Sequence, residues 1–261
     1  MRTLVETGDD GARLDGTSAH ERFVGGAGAD TFFGHGGDDI LDGGEAEGEN
    51  DPSRVDERFA IDVADYNVAG TGPIHADLET GVVADGFGGT DQLIDIERLA
   101  ATWLDDTIRG SETEDRINLR AGNDLVEALG GDDWIYLGEG QQTVDGGAGF
   151  DRLYFPGSND FALGVTANLS LGQGGLTGLA PDAEGNTHVR FTGIEQLTGT
   201  DHDDVLIGDD GPRNTFSGRG GDDTIRGGAG YDFVWMGLAP EPVRVDLAAG
   251  TALGEGTDVL D

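Results

Sequence analysis

Apolar residues recur at every ninth position along much of this chain. Val5, Leu14, Phe23, Phe32 and Leu41 form a first series without slippage. Ile108, Ile117, Val126, Ile135, Val144 and Leu153 form a second series. Leu206, Phe216, Ile225 and Val234 form a third, with one extra residue inside 208–217. Neither an amphipathic helix nor an alternating strand has this period. A turn followed by a minimal strand does. Glycine reaches φ > 0 at little steric cost, so a Gly-rich half can bend; 48 of the 261 residues are glycine. The other half is extended, with its central apolar side chain pointing inward. Two such units close one coil, and coils stack as parallel strands about 4.8 Å apart. The pattern predicts an all-β chain built from parallel β-roll blocks, a β-solenoid with two small sheets.

Between the series lie longer segments that resemble one another. "IHADLETGVVADGFGGTDQLIDIERLAAT" (74–102) parallels the segment from "VTANLSLGQGGL" to "VRFTGIEQLTGT" (165–200). A third copy, "VRVDLAAGTALGEGTDVLD" (243–261), begins and stops at Asp261, as expected of a piece of something longer. Their alternating apolar residues predict short strands and hairpins. The expected organisation is an array at 1–51, a β-rich spacer at 52–100, a central array at 101–154, a second spacer at 155–198, a third array at 199–235 and a truncated spacer at 236–261.

Acidic residues follow the same nine-residue spacing. Two positions before each apolar residue stand Glu21, Asp30 and Asp39, then Asp106, Asp115, Asp124, Asp133, Gln142 and Asp151, then Asp204, Asn214, Asp223 and Asp232. Units two apart share an edge of the roll. Asp115, Asp133 and Asp151 therefore form one column, and Asp106, Asp124 and Gln142 another. Stacked carboxylates repel unless cations lie between them, and this chain has 52 acidic against 15 basic residues, all of them Arg, for a net charge of −37. Carboxylates with turn carbonyls make the hard oxygen set that suits Ca²⁺. Zn²⁺ and Cu²⁺ prefer His and Cys, and the chain has no Cys. Mg²⁺ sheds its water reluctantly. Several Ca²⁺ ions are expected. Gln142 and Asn214 offer neutral oxygens and should weaken the sites shared with Asp124 and Asp232. Asp38, Asp105, Asp132, Asp203 and Asp222, one place earlier, should face water. The charge opposes nucleic acid and anionic lipid as partners, and no apolar run is long enough for a membrane-spanning helix.

"GGAGADTFF", "GGAGFDRLY" and "GGAGYDFVW" resemble the nonapeptide G-G-x-G-x-D-x-U-x of the RTX, or hemolysin-type calcium-binding, repeat proteins. The spacers also look like those between RTX arrays, so the likeness covers almost the whole chain. The resemblance implies a parallel β-roll with Ca²⁺ between adjacent same-edge turns. The ligands it implies are the sixth-position Asp of both turns and carbonyls near Gly26, Gly28, Gly37, Gly122, Gly131, Gly140, Gly147, Gly149, Gly221, Gly228 and Gly230. It also implies export through type I secretion machinery, folding triggered by extracellular Ca²⁺, and a secreted, extracellular location. The unit at 16–24 departs from the pattern, with Glu21 at the sixth position and no glycine after Gly16. The unit at 7–15 has Ala12 there and is expected to cap the roll without binding.

Other chemistry is sparse. His20, His35, His75, His188 and His202 are scattered, and no nucleophile elbow occurs. Asp62, Asp65, Tyr66, His75 and Asp77 are the nearest thing to an acid–base cluster; the matching spacer has Asp160 and Asn168 but no His, which favours a structural role. Trp134, Tyr136, Phe150 and Tyr154 flank inward positions and should cover the roll, with a sugar-stacking strip as the alternative. The expectation is therefore a calcium-binding module that folds on binding Ca²⁺, with no catalytic site of its own. The rivals are an accessory region of a secreted protease, lipase or polysaccharide-modifying enzyme, and a surface or adhesive repeat protein with a polysaccharide or surface partner.

Overall fold

A computed structural model describes residues 1–5, 11–26, 28–44, 61–67, 72–155, 164–176, 189–236, 244–246, 251–253 and 257–260. Residues 7–10 of the first expected unit, Asp160 and most of the last spacer lie outside them. The x-U-x stretches are strands of about three residues with the middle side chain inward, as in Thr31–Phe33, Arg116–Asn118, Trp134–Tyr136 and Arg152–Tyr154. The first strand, Arg2–Val5, departs from the series: Leu4 pairs with Phe23 and packs on the core, while Val5 is exposed. Successive units alternate between two sheets, so strands pair in parallel with the unit two places on, as Ile117 does with Ile135 and Ile135 with Leu153. The inward side chains make a single continuous core.

The ten-stranded sheet is parallel throughout. Its inward residues form an unbroken ladder: Leu14, Phe32, Ala64, Leu99, Ile117, Ile135, Leu153, Leu197 and Phe216, which ends on the exposed Val234. Ala64, Leu99 and Leu197 come from the spacers. The spacers are therefore rungs of the same roll as well as connections between arrays.

The seventeen-stranded sheet shows what a spacer adds. His75–Asp77, Val82–Ala84 and Thr90–Ile94 form an antiparallel meander. Its last strand pairs in parallel with Ile40–Asp42 of the preceding array, and its first with Thr107–Ser111 of the next. Val165–Asn168, Gln173–Leu176 and Val189–Thr192 repeat the device between Gln142–Asp145 and Val205–Ile207. Arg244–Asp246, Thr251–Leu253 and Thr257–Leu260 begin it a third time beside Thr224–Arg226. Two reversals restore the original strand direction, so the parallel stack resumes in register.

Candidate metal centre

The sixth-position side chains line the two edges of the roll, nearly all of them buried. One hydrogen bond recurs down each column. The backbone N–H of a sixth-position residue donates to the carboxylate one coil further on: Glu21 to Asp39 (2.7 Å), Asp106 to Asp124 (2.9 Å), Asp115 to Asp133 (2.8 Å), Asp133 to Asp151 (2.9 Å) and Asp204 to Asp223 (2.9 Å). Ala12 at the end of a column donates to Asp30 in the same way. Backbone donors thus hold the column carboxylates at coil spacing, with Arg2 3.6 Å from Glu21 at one end.

The second carboxylate oxygen divides the turns into two kinds. In closed turns the chain satisfies it. Gly26 N–H donates to Asp30, Thr102 N–H to Asp106, Ser111 N–H to Asp115 and Thr200 N–H to Asp204. Glu21 is held likewise by the N–H and hydroxyl of Thr17. In open turns the oxygen has no partner. Asp39, Asp124, Asp133 and Asp151 each bury an Oδ2 that meets no donor.

Backbone conformation makes the difference. Four residues before each open-turn Asp stands a residue with positive φ: His35 (64°), Arg120 (58°), Leu129 (76°) and Gly147 (90°). Two residues before it stands a positive-φ glycine: Gly37, Gly122, Gly131 and Gly149. The left-handed residue occupies the place from which a closed turn donates. Gly221 with Arg219, and Gly228 with Gly230, repeat the conformation ahead of Asp223 and Asp232; ahead of Gln142 Gly140 has positive φ but Gly138 does not.

Two open turns stack on one edge, at 129–133 and 147–151. A Cβ at Gly147 would overlap the carbonyl oxygen of Leu129, and one at Gly149 that of Gly131. Carbonyl oxygens and the orphaned oxygens of Asp133 and Asp151 thus belong to adjacent glycine-walled turns. An orphaned buried carboxylate costs free energy unless a cation or proton satisfies it. No three carboxylate or imidazole side chains gather at one point among the described residues, so the further ligands these turns offer an ion are backbone carbonyls. That donor set fits Ca²⁺. Burial, followed by like-charged neighbours, raises Asp124 and Asp133 to about 7 and Asp39 to about 6. Asp151 is raised in the same direction.

Several expected ligands are engaged otherwise. Gln142 donates its amide Nε2 to the carbonyls of Gly122 and Glu139 (3.0 Å each), while its Oε1, the neutral oxygen expected there, is buried and meets no donor. Asn214 accepts from Asp209 N–H and donates to the Asp209 carboxylate, closing the lengthened turn. Asp133 has an open neighbour in Asp151 but a closed one in Asp115. Asp223 and Asp232 accept their ladder bonds from Asp204 and Asn214. Gly28 is buried within the turn before Asp30. The fifth-position aspartates are exposed but not idle: Asp105, Asp132 and Asp203 accept from the N–H of Asn123, Phe150 and Asp222.

The spacers supply carboxylates that the array series do not include. Asp62 accepts from Asp30 N–H, Asp91 from Asp39 N–H and Glu195 from Asp151 N–H, while Glu97 accepts from Asp62 N–H. Each stands two residues before an inward side chain, respectively Ala64, Leu93, Leu197 and Leu99. The array spacing rule would have found them had it been applied inside the spacers. The Asp62, Asp65, Tyr66, His75, Asp77 group is dispersed: Tyr66 donates to Asp91, Asp65 accepts from Arg120 and Asp77 from Arg109.

A parallel roll with glycine-walled turns and stacked edge carboxylates is the architecture of a calcium-binding repeat module. The model of the RTX calcium-binding nonapeptide repeat matches four times, at 15–46, 101–135, 120–153 and 198–234. The chain is an RTX repeat protein and carries Ca²⁺-binding repeats. No curated protein matches it.

Proposed function

We propose that this chain is a folding-on-binding calcium module of a secreted bacterial protein. The observation that carries the reading is the set of buried, partnerless carboxylate oxygens at Asp39, Asp124, Asp133 and Asp151. A chain of net charge −37 opposes its own compaction. Bound Ca²⁺ supplies positive charge between carboxylates and ligand bonds between coils, so binding free energy becomes folding free energy. The chain's own part is to hold carbonyls and carboxylates apart at coil spacing and to keep competing donors out of the open turns. Its role is binding rather than catalysis, which the dispersal of the one acid–base group supports. The repeat class supports export by type I machinery. Service beside a secreted enzyme domain and service in a surface repeat protein both remain compatible with this role.

Circular dichroism under Ca²⁺ titration tests the reading. The chain in chelator should be largely disordered, millimolar Ca²⁺ should bring up β signal, and Mg²⁺ at the same concentration should not. A cooperatively folded chain in chelator would overturn it.

A further inference from the structure

The hairpin of the first spacer carries a carboxylate that belongs neither to the array series nor to the ladder of hydrogen bonds along the columns. Asp85 stands at the bend between Val82–Ala84 and Thr90–Ile94 and is 1% exposed. Its Oδ1 accepts from the N–H of Phe87 (2.9 Å) and of Gly89 (2.7 Å), which fixes the bend. Its Oδ2 is buried and meets no donor. An oxygen in that state costs free energy unless a cation or a proton satisfies it.

This bend stacks on the open turn of Asp39, whose Oδ2 is orphaned in the same way. Asp39 N–H donates to Asp91 (3.0 Å), and a Cβ on Gly89 would overlap the Gly37 carbonyl oxygen. Asp85 Oδ2 lies 2.8 Å from that same Cβ position, so it and the Gly37 carbonyl border one small space. Burial first, and then the charges of Glu21 and Asp85, raise Asp39, which puts Asp85 within electrostatic reach of it. Both column neighbours of Asp39 have their second oxygen engaged. Glu21 Oε2 accepts from the N–H and hydroxyl of Thr17, and Asp91 Oδ2 accepts from the Tyr66 hydroxyl (3.0 Å). Asp85 brings to this turn the orphaned oxygen that neither of them offers. The junction of the second spacer lacks such chemistry, since Gln142 pairs there with Val189.

We propose that Asp85 and Asp39 share one Ca²⁺, with the Gly37 carbonyl as a further oxygen, and that this ion pins the spacer hairpin to the first array. The site rests on the calcium reading above, but one of its two carboxylates comes from outside the nonapeptide series. Two carboxylates balance the charge of a divalent ion, and a set made only of oxygens suits Ca²⁺ rather than Zn²⁺ or Cu²⁺. The hairpin's own backbone bonds to Asp85 Oδ1 leave Oδ2 as the ligand, so the bend is built before the ion arrives.

The test counts the ions bound by the full chain in equilibrium dialysis, at the lowest Ca²⁺ that saturates the unsubstituted protein, with circular dichroism showing the fold. Asp85→Asn keeps an oxygen for the Phe87 and Gly89 N–H groups and removes the charge. It should bind one ion fewer than the unsubstituted chain, and so should Asp39→Asn. Because the two residues share an ion, the double variant should also be one ion short rather than two. Asp77→Asn, in the same spacer but paired with Arg109, should keep the full count. An unchanged count in Asp85→Asn, or a loss of two ions in the double variant, overturns the proposal, while the ions still bound leave the calcium reading standing. If Asp85→Asn fails to fold, anomalous diffraction from crystals of the unsubstituted chain grown in Ca²⁺ decides. An ion about 2.3–2.6 Å from both Asp85 Oδ2 and Asp39 Oδ2 is expected. Ions in other turns with none at Asp85 would refute this site alone, whereas a chain that binds no Ca²⁺ at all would sink the calcium reading and this site with it.

Discussion

At the scale of single residues, closed and open turns assign different work to the same residue type. Asp106 and Asp204 each accept two backbone N–H bonds and a hydroxyl from Thr102 or Thr200. Removing either leaves buried donors unsatisfied, at about 1–3 kcal/mol each. Asp106→Ala and Asp204→Ala should therefore weaken the fold at any Ca²⁺ level. Asp133→Ala and Asp151→Ala each strand only one ladder N–H, that of Asp115 or Asp133, and should in addition lower Ca²⁺ affinity by tenfold or more. Calorimetric Ca²⁺ titration together with denaturant melts separates the two classes; equal affinity losses in both would contradict the division. Glycine positions separate similarly. Gly88 has φ of 100° and nothing near its missing Cβ, whereas Gly149 has φ of 146° and faces the Gly131 carbonyl. Gly88→Ala should cost backbone strain of about 1–3 kcal/mol. Gly149→Ala should cost more, because the coil below must also move. Equal shifts in melting midpoint would show that stacking at Gly149 is loose. The nine-residue spacing makes sixth-position identity legible from sequence. It does not show whether the second oxygen is already bonded, because that depends on whether a residue such as Ser111 or Leu129 turns left-handed.

Among elements, the turn column is where proton and metal compete. Burial raises Asp39 to about 6 and Asp91, Asp124 and Asp133 to about 7, from an ordinary value near 3.8. A raised folded-state value means that the metal-free fold binds more protons than the unfolded chain between those limits. Stability of the Ca²⁺-free roll is then greatest below the unfolded value and is lost as pH rises from about 4 to about 7. In chelator, β signal should be stronger at pH 4.5 than at pH 7.5, and apparent Ca²⁺ affinity should fall as pH is lowered through 7 to 6. A Ca²⁺-free fold that gains stability with rising pH across this window would refute the assignment. The spacer is the element the sequence only half discloses. Alternation in 74–94 marks its hairpins, but Ala64 is too small and too isolated to stand out as an inward residue. Its status as a rung comes from pairing with Phe32 on one side and Leu99 on the other, contacts separated by tens of residues along the chain.

For the whole molecule, the continuous ladder changes how folding should propagate. Read along the chain, the arrays are separate blocks, and the central one, with five of its six acidic positions filled by Asp, would fold at lower Ca²⁺ than 199–235. In space, Leu153 pairs with Leu197 and Leu197 with Phe216, so no break in the inward column separates those arrays. The edge carboxylates are continuous as well, since Glu195 accepts the Asp151 N–H at 2.9 Å. A solenoid's stability is a sum of coil terms and nearest-neighbour interfaces. A spacer that supplies both an inward side chain and a column carboxylate is therefore an ordinary interface in that sum. Hydrogen exchange at intermediate Ca²⁺ should show amides near Ile135 and Phe216 becoming protected together. Leu197→Ala, which removes buried apolar atoms and leaves a cavity at the junction, should cost about 2–5 kcal/mol. It should also split the single Ca²⁺ transition in two, with the central array folding first. Two transitions already present in the unsubstituted chain would mean that the junction transmits little, and that the blocks fold as independent units despite their shared sheet.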